Sequence, residues 1–172
     1  MKKYEFTGET KQVELSFRTV TLHRIKAVAE FGIVKVGDLG GWIEKEENLS
    51  HEEKAWVCGD AWVYDNAKVY DDAKVYGNAW VCGNAEVCGN AEVFSISHVL
   101  VIGPIGSRND FTTFFRDKDS EITVKCGCFL GKIDKFLEKV CETHGDSKYA
   151  IVYRAAVEIA KQQIDLSEEK QL

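Results

Sequence analysis

The sequence predicts a mainly β protein, a parallel β-solenoid followed by a small α+β appendage, and three observations carry that expectation. From residue 53 to 94 the chain repeats every six residues, with Ala at 55, 61, 67, 73, 79, 85 and 91 and Val at 57, 63, 69, 75, 81, 87 and 93. Between each Val and the next Ala stand turn-prone pairs such as Gly59-Asp60, Asp65-Asn66, Gly77-Asn78 and Gly89-Asn90, which tolerate left-handed backbone angles and allow a corner in every hexad. After residue 94 the hexads stop, strand-like runs follow, and helical spacing begins at Ile133. Ala and Val lie two residues apart and so point to one side of a short strand, with small side chains inside.

Three segments follow from this, taken in chain order. Residues 1–52 form an N-terminal lead-in and cap, in which 3–7 and 18–26 alternate enough to read as strands and Gly37 to Trp42 is turn-rich. Ile43 and Leu49 are in phase with the later Ala column, so an irregular first turn of the repeat starts there. Residues 53–94 are the repeat itself, and residues 95–172 the appendage. In the appendage, Ser97 to Ile102 reads as a buried strand ended by Gly103-Pro104. Phe111 to Arg116 and Glu121 to Cys126 flank Asp117-Lys118-Asp119-Ser120 as a hairpin. Ile133, Phe136, Leu137, Val140 and His144 follow helical spacing up to Gly145; Ser147 caps a second helix with Tyr149, Val152, Tyr153, Ala156 and Ile159 on its apolar face. Phe111, Phe114, Phe115, Phe129 and Phe136 are candidate core.

Composition narrows the function classes. Among 172 residues, 22 Lys and Arg stand against 28 Asp and Glu, a formal charge of −6 that disfavours duplex nucleic acid, whose phosphates call for clustered cations. A hydrophobic fraction of 45% argues against disorder. No apolar run approaches the roughly 20 residues of a membrane span, and no apolar stretch follows Lys2-Lys3, so no membrane contact and a cytoplasmic location are expected. The six cysteines read as thiols, because Cys58, Cys82 and Cys88 share a repeat slot with Tyr64, Tyr70, Tyr76 and Phe94.

The pattern Val-x-x-x-Ala-x resembles a hexapeptide repeat, in which three hexads make one coil; the resemblance implies that offsets of 18 residues bring outward side chains together: Lys68 with Glu86, Lys74 with Glu92, and Trp62 with Trp80. One face then carries Trp62, Tyr64 and Trp80, a charge-free patch for contact with another subunit or for cover by a flanking segment of the same chain.

The same resemblance implies a left-handed parallel β-helix and a homo-oligomer, a trimer being usual in that family. Leu22 to Ile25, Gly37 to Glu44 and Glu47 to Ser50 resemble the corresponding segments of YdcK-like hexapeptide proteins. Ile105 to Arg108, Cys126 to Phe129 and Thr143 to Gly145 are similar to a subset common in phages and prophages. The resemblance implies a phage accessory or counter-defence protein in the host cytoplasm, and it supplies no chemistry.

Catalysis finds little support among these residues. The hexapeptide acyltransferases use a His base, yet only His51 and His98 lie near the repeat, one at each end. The alternatives to a binding protein are an acyl or nucleotidyl transferase, depending on His98 or His144, and a purely structural oligomerisation module. No cofactor is expected. Cys126, Cys128, Cys141 and His144 could form a Cys₃His zinc set, since Cys141 and His144 share a helix face, but C-x-C is tighter than usual and core packing explains them more simply.

The favoured site is the loop Gly103-Pro104-Ile105-Gly106-Ser107-Arg108. Its glycines leave N–H groups open, Ser107 adds a hydroxyl, and Arg108 offers a fork for phosphate or carboxylate. A turn with Arg108 paired to Asp110 or Asp117 is the plainer alternative. Tyr149, Tyr153, Lys125 and Arg24 complete the candidate set for a small anionic, nucleotide-like ligand held between subunits; the other partner considered is a host protein whose surface is blocked.

Overall fold

The computed structural model describes residues 1–170. Strands β1 (Tyr4–Leu15) and β2 (Arg18–Ala27) form an antiparallel hairpin whose inner residues Val20, Leu22, Ile25 and Ala27 are buried. β1 is longer than its alternation suggested: its polar second half pairs with β2 after a register shift between Phe6 and Thr10, where Gly8 takes a φ of 91°. β3 (Leu39–Ile43) pairs antiparallel with β2. Gly40 and Gly41 are buried in it, and a Cβ on Gly41 would lie 2.8 Å from the Ala61 carbonyl, so that close approach requires glycine.

Seven two-residue strands follow, one per hexad: β4 (Trp56–Val57), β5 (Trp62–Val63), β6 (Lys68–Val69), β7 (Lys74–Val75), β8 (Trp80–Val81), β9 (Glu86–Val87) and β10 (Glu92–Val93). Each pairing within the repeat is parallel and joins residues 18 apart, as in Trp62 with Trp80, Lys68 with Glu86 and Lys74 with Glu92. The Ala and Val columns are at most 1% exposed. Corner residues Gly59, Asp65, Asp71, Gly77, Gly83 and Gly89 all take positive φ, between 57° and 66°.

The expected left-handed parallel β-helix is not what these strands form. They divide among a five-stranded mixed sheet in the order β1-β2-β3-β5-β8, a three-stranded sheet β10-β7-β4 and a two-stranded sheet β6-β9, with no closed or solenoid sheet. The physical reason lies in strand length: two residues per hexad make a very short ladder. The longer strands come from the flanking segments and are antiparallel. The architecture is a set of small mixed and antiparallel sheets with two helices.

After the hexads, β11 (Val99–Ile105), β12 (Asp110–Arg116), β13 (Ile122–Cys126) and β14 (Phe129–Lys132) form an antiparallel sheet in that order. α1 (Ile133–His144) ends at Gly145, whose φ is 55° and whose N–H donates to the Cys141 carbonyl. α2 (Lys148–Gln163) starts after Ser147, which occupies the cap position without a side-chain cap bond.

This sheet has two buried faces. Phe114 and Val124 pack with Phe136, Val140, Tyr153 and Val157 of the helices. Phe115, one residue along, enters the Ala/Val core of the hexads, with Val99 and Val101 beside it. Period-two alternation on β12 thus serves two cores at once. Asp117 fastens the junction: it forms an antiparallel bridge with Ala91, and the next residue's N–H donates to the Asn90 carbonyl at 3.0 Å. Its buried carboxylate accepts from the N–H groups of Asp119 (2.9 Å) and Glu121 (3.2 Å), from Thr123 Oγ1 (2.6 Å) and from Lys132 Nζ.

The N-terminal end of the hexads is closed by Lys3 and Tyr4. Lys3 Nζ donates to the carbonyls of Ala55 (2.7 Å) and Glu52 (3.0 Å), and burial pulls its pKa down to about 8. No helix among the described residues is long and apolar enough to cross a membrane.

Candidate functional site

A polar cleft of about 580 Å³ lies between the hexads and the C-terminal sheet. The β6–β9 ladder contributes Lys68 and Glu86, the hexad corners contribute Asn66 and Asn84, and β12 and β13 contribute Thr113 and Lys125. Lys45, Glu47, Asp110 and Phe111 complete the walls. Thr113 Oγ1 accepts from the Glu86 N–H at 3.0 Å and ties sheet to hexads at the cleft floor.

Strand register sets Lys68 beside Glu86, but their expected ion pair does not form. The Glu86 carboxylate accepts instead from the Tyr70 hydroxyl at 3.1 Å and pairs with Lys125 Nζ at 3.4 Å, while Lys125 also donates to the Gly127 carbonyl. Burial, with help from Cys88 and Glu86, pushes the Tyr70 phenol strongly up, so Tyr70 stays a neutral donor. Lys68 is exposed and forms no ion pair among the described residues; Lys45 reaches only the amide oxygen of Asn66, at 3.4 Å. The Lys74–Glu92 pair, by contrast, does form, at 3.9 Å.

The loop singled out from sequence lies beside this cleft. Ser107 and Arg108 are exposed in the β11–β12 turn, and a methyl group on Gly127, a cleft residue, would lie 3.7 Å from Arg108 Nη1. Arg108 makes neither of its expected pairs with Asp110 and Asp117, and Asp117 is occupied as described above. Lys125 near the end of β13 and Arg108 in the β11–β12 turn therefore border one cleft.

The other candidates are placed elsewhere. Tyr153 is buried on the helix side of the sheet, its hydroxyl 3.9 Å from Cys126 Sγ. A Cβ on Gly106 would collide with the Tyr153 ring, which is why that turn carries glycine at φ 74°. Burial and then Cys126 push the Tyr153 phenol up to about 12. Tyr149 sits beside His144, ring centroids 5.8 Å apart. Arg24 is on the far side, its guanidinium 5.2 Å from the Trp42 ring.

Cys126 is half-buried and accepts from Thr112 Oγ1 at 3.3 Å, Cys128 and Cys141 are exposed, and His144 stacks near Tyr153. No group of three or more His, Cys, Asp or Glu side chains suited to a metal ion is present among the described residues. The two histidines flanking the hexads are engaged in packing. His51 stacks on Tyr4 at 4.2 Å and accepts from the Lys3 N–H. His98 is fully buried, accepts the Phe94 N–H on Nδ1 and sets Nε2 3.3 Å from Glu168.

The aromatic face is divided. Tyr64 is buried beneath the N-terminal hairpin with Val20, Leu22 and Trp42, so a flanking segment of the same chain covers this part. Trp62 and Trp80 stack at 4.8 Å with planes 4° apart, and Trp80 remains 45% exposed.

Nothing in the sequence marks Arg116 beyond its place at the end of a strand. It is buried, lies 4.7 Å over the Phe94 ring and donates to Ser120 Oγ at 2.7 Å, with Nε and Nη1 unpartnered. Lys45, Lys68, Asn66 and Asn84 also escaped notice as site residues; the outward hexad slots that carry Lys68 and the two Asn were the available signal. No protein-family model matches the chain, and no curated protein matches it.

Proposed function

We propose that the protein acts by binding, holding a small anionic, phosphate-bearing ligand of nucleotide type in the cleft between the hexads and the C-terminal sheet. The observation that carries this reading is the convergence of Lys45, Lys68 and Lys125 on one polar cleft, with Arg108 at its rim and the Phe111 ring in its wall. Lys45, Lys68 and Arg108 form no ion pair among the described residues and attract phosphate, Lys125 adds its charge from its pair with Glu86, Asn66 and Asn84 add amide donors, and Phe111 offers a ring face for a base. Neither His51 nor His98 lines this cleft, so binding needs no imidazole. Sequestering a nucleotide-like signal is the use that follows, and the counter-defence role rests on the resemblance given above.

The test is calorimetric titration with ADP of the parent and of the Lys68→Ala/Arg108→Ala double variant. Both side chains are exposed, so the variant keeps its fold. Saturable binding by the parent, weakened tenfold or more in the variant, supports the reading; equal affinities, or no binding by the parent, overturn it.

A further inference from the structure

We propose a second site, for a small polyamine, in the groove beside the tryptophan column. Trp42, Trp62 and Trp80 occupy successive paired positions on β3, β5 and β8, so their indoles follow one another across the sheet. The protein already holds a cation on this column: Lys11 Nζ lies 4.5 Å from the Trp42 ring and 5.2 Å from that of Trp62. Trp80, on the edge strand, is the rung that no cation covers among the described residues, and it is half-exposed. It borders a groove of about 790 Å³ whose other wall includes Phe94.

Charge selects the occupant. Asp60 enters the groove from a hexad corner, and Glu168 and Glu169 enter from the segment after α2; among the described residues Lys11, seated on its rings, is the only base lining it. Asp60 and Glu169 form no ion pair among the described residues. An anion is repelled here. A lone metal ion would leave the rings unused. Ammonium groups joined by methylene stems satisfy both features: the stems lie on Trp80 and Phe94, one ammonium sits over the indole face, and the others meet carboxylates from two separate elements. The groove volume lies within the range of small-molecule sites, about 300–1,000 Å³. These residues are distinct from those of the phosphate cleft, so either site can fail without the other.

The experiment is calorimetric titration with spermidine, at physiological salt, with magnesium chloride as a control for general attraction to an acidic surface. Saturable spermidine binding is expected, with Trp80→Ala weakening it about tenfold, Trp80→Phe less, and Asp60→Asn/Glu169→Gln also weakening it. Should Trp80→Ala fail to fold, the carboxylate pair of substitutions still decides. The proposal is overturned if spermidine does not saturate, if magnesium competes for the same heat, or if the Trp80 and carboxylate variants bind as the parent does.

Discussion

Replacing Asp117 with Asn removes one negative charge and almost no volume, so its cost isolates the electrostatics of the junction. The carboxylate accepts two backbone N–H groups on Oδ1, and Thr123 and Lys132 on Oδ2. An Asn oxygen in the Oδ1 position keeps the two backbone bonds. Its amide would then face Thr123, which can reverse its hydroxyl, and the Lys132 ammonium, which cannot accept. One charge-assisted bond is lost, worth about 1.5–3 kcal/mol, and the remaining bonds weaken when the acceptor turns neutral. Because Lys132 is partly exposed and can swing into water, we expect a net loss of about 2 kcal/mol at pH 7.

The pH dependence separates this cause from simple repacking. Burial opposes the Asp117 charge, but the hydrogen bonds from Lys132, Thr123 and the two backbone N–H groups outweigh it and hold the carboxyl below its ordinary value. A folded pKa below the unfolded one gives stability that is complete above the unfolded pKa, near 3.9, and is lost as pH falls through the folded pKa. Urea unfolding of parent and variant between pH 7 and pH 3 should show their midpoints converging as pH falls. A gap that is constant with pH, or a variant as stable as the parent at pH 7, would refute the reasoning.

Phe115→Ala should cost about 3–5 kcal/mol, since the ring is fully buried in the core shared by the hexads and the C-terminal sheet; a loss under 1 kcal/mol in urea titration would show that this core is not shared. Burial lowers the pKa of His98 against the pull of Glu168, so its neutral form is the one the fold favours. Stability should therefore fall as pH drops below about 6.5, more steeply in the parent than in His98→Gln. Thermal unfolding at pH 8 and pH 5.5 checks this, and parallel slopes would count against it.

Local structure was legible wherever a residue's own chemistry dictates it. The hexad spacing located every strand from β4 to β10, and Gly145 marked the end of α1. β14 escaped because Phe129 to Lys132 is short and contains Gly131, and the second half of β1 escaped because Thr10 to Gln12 are polar on a strand whose inward partners lie on β2. The fold class failed at a different level: the period determines which residues pair, whereas two-residue strands do not by themselves make a closed sheet. Among the site residues, Arg108 and Lys125 were legible as cations near turns, although Lys125 is paired with Glu86. Lys45 and Lys68 were not, because the cleft is lined jointly by the hexads and the C-terminal sheet, and no local pattern encodes which residues those two bring together.

The pairing interval also bears on how such a chain can lengthen. Every parallel partner in the repeat lies 18 residues away, and the final hexad hands the chain to Asp117 at one fixed corner. Consecutive hexads belong to different sheets, so one inserted hexad would shift every later strand to another partner and move Phe115 and Asp117 away from the residues they pack on. An insertion of 18 residues would keep each strand's pairing interval, so a change of length in this segment costs less in threes than singly.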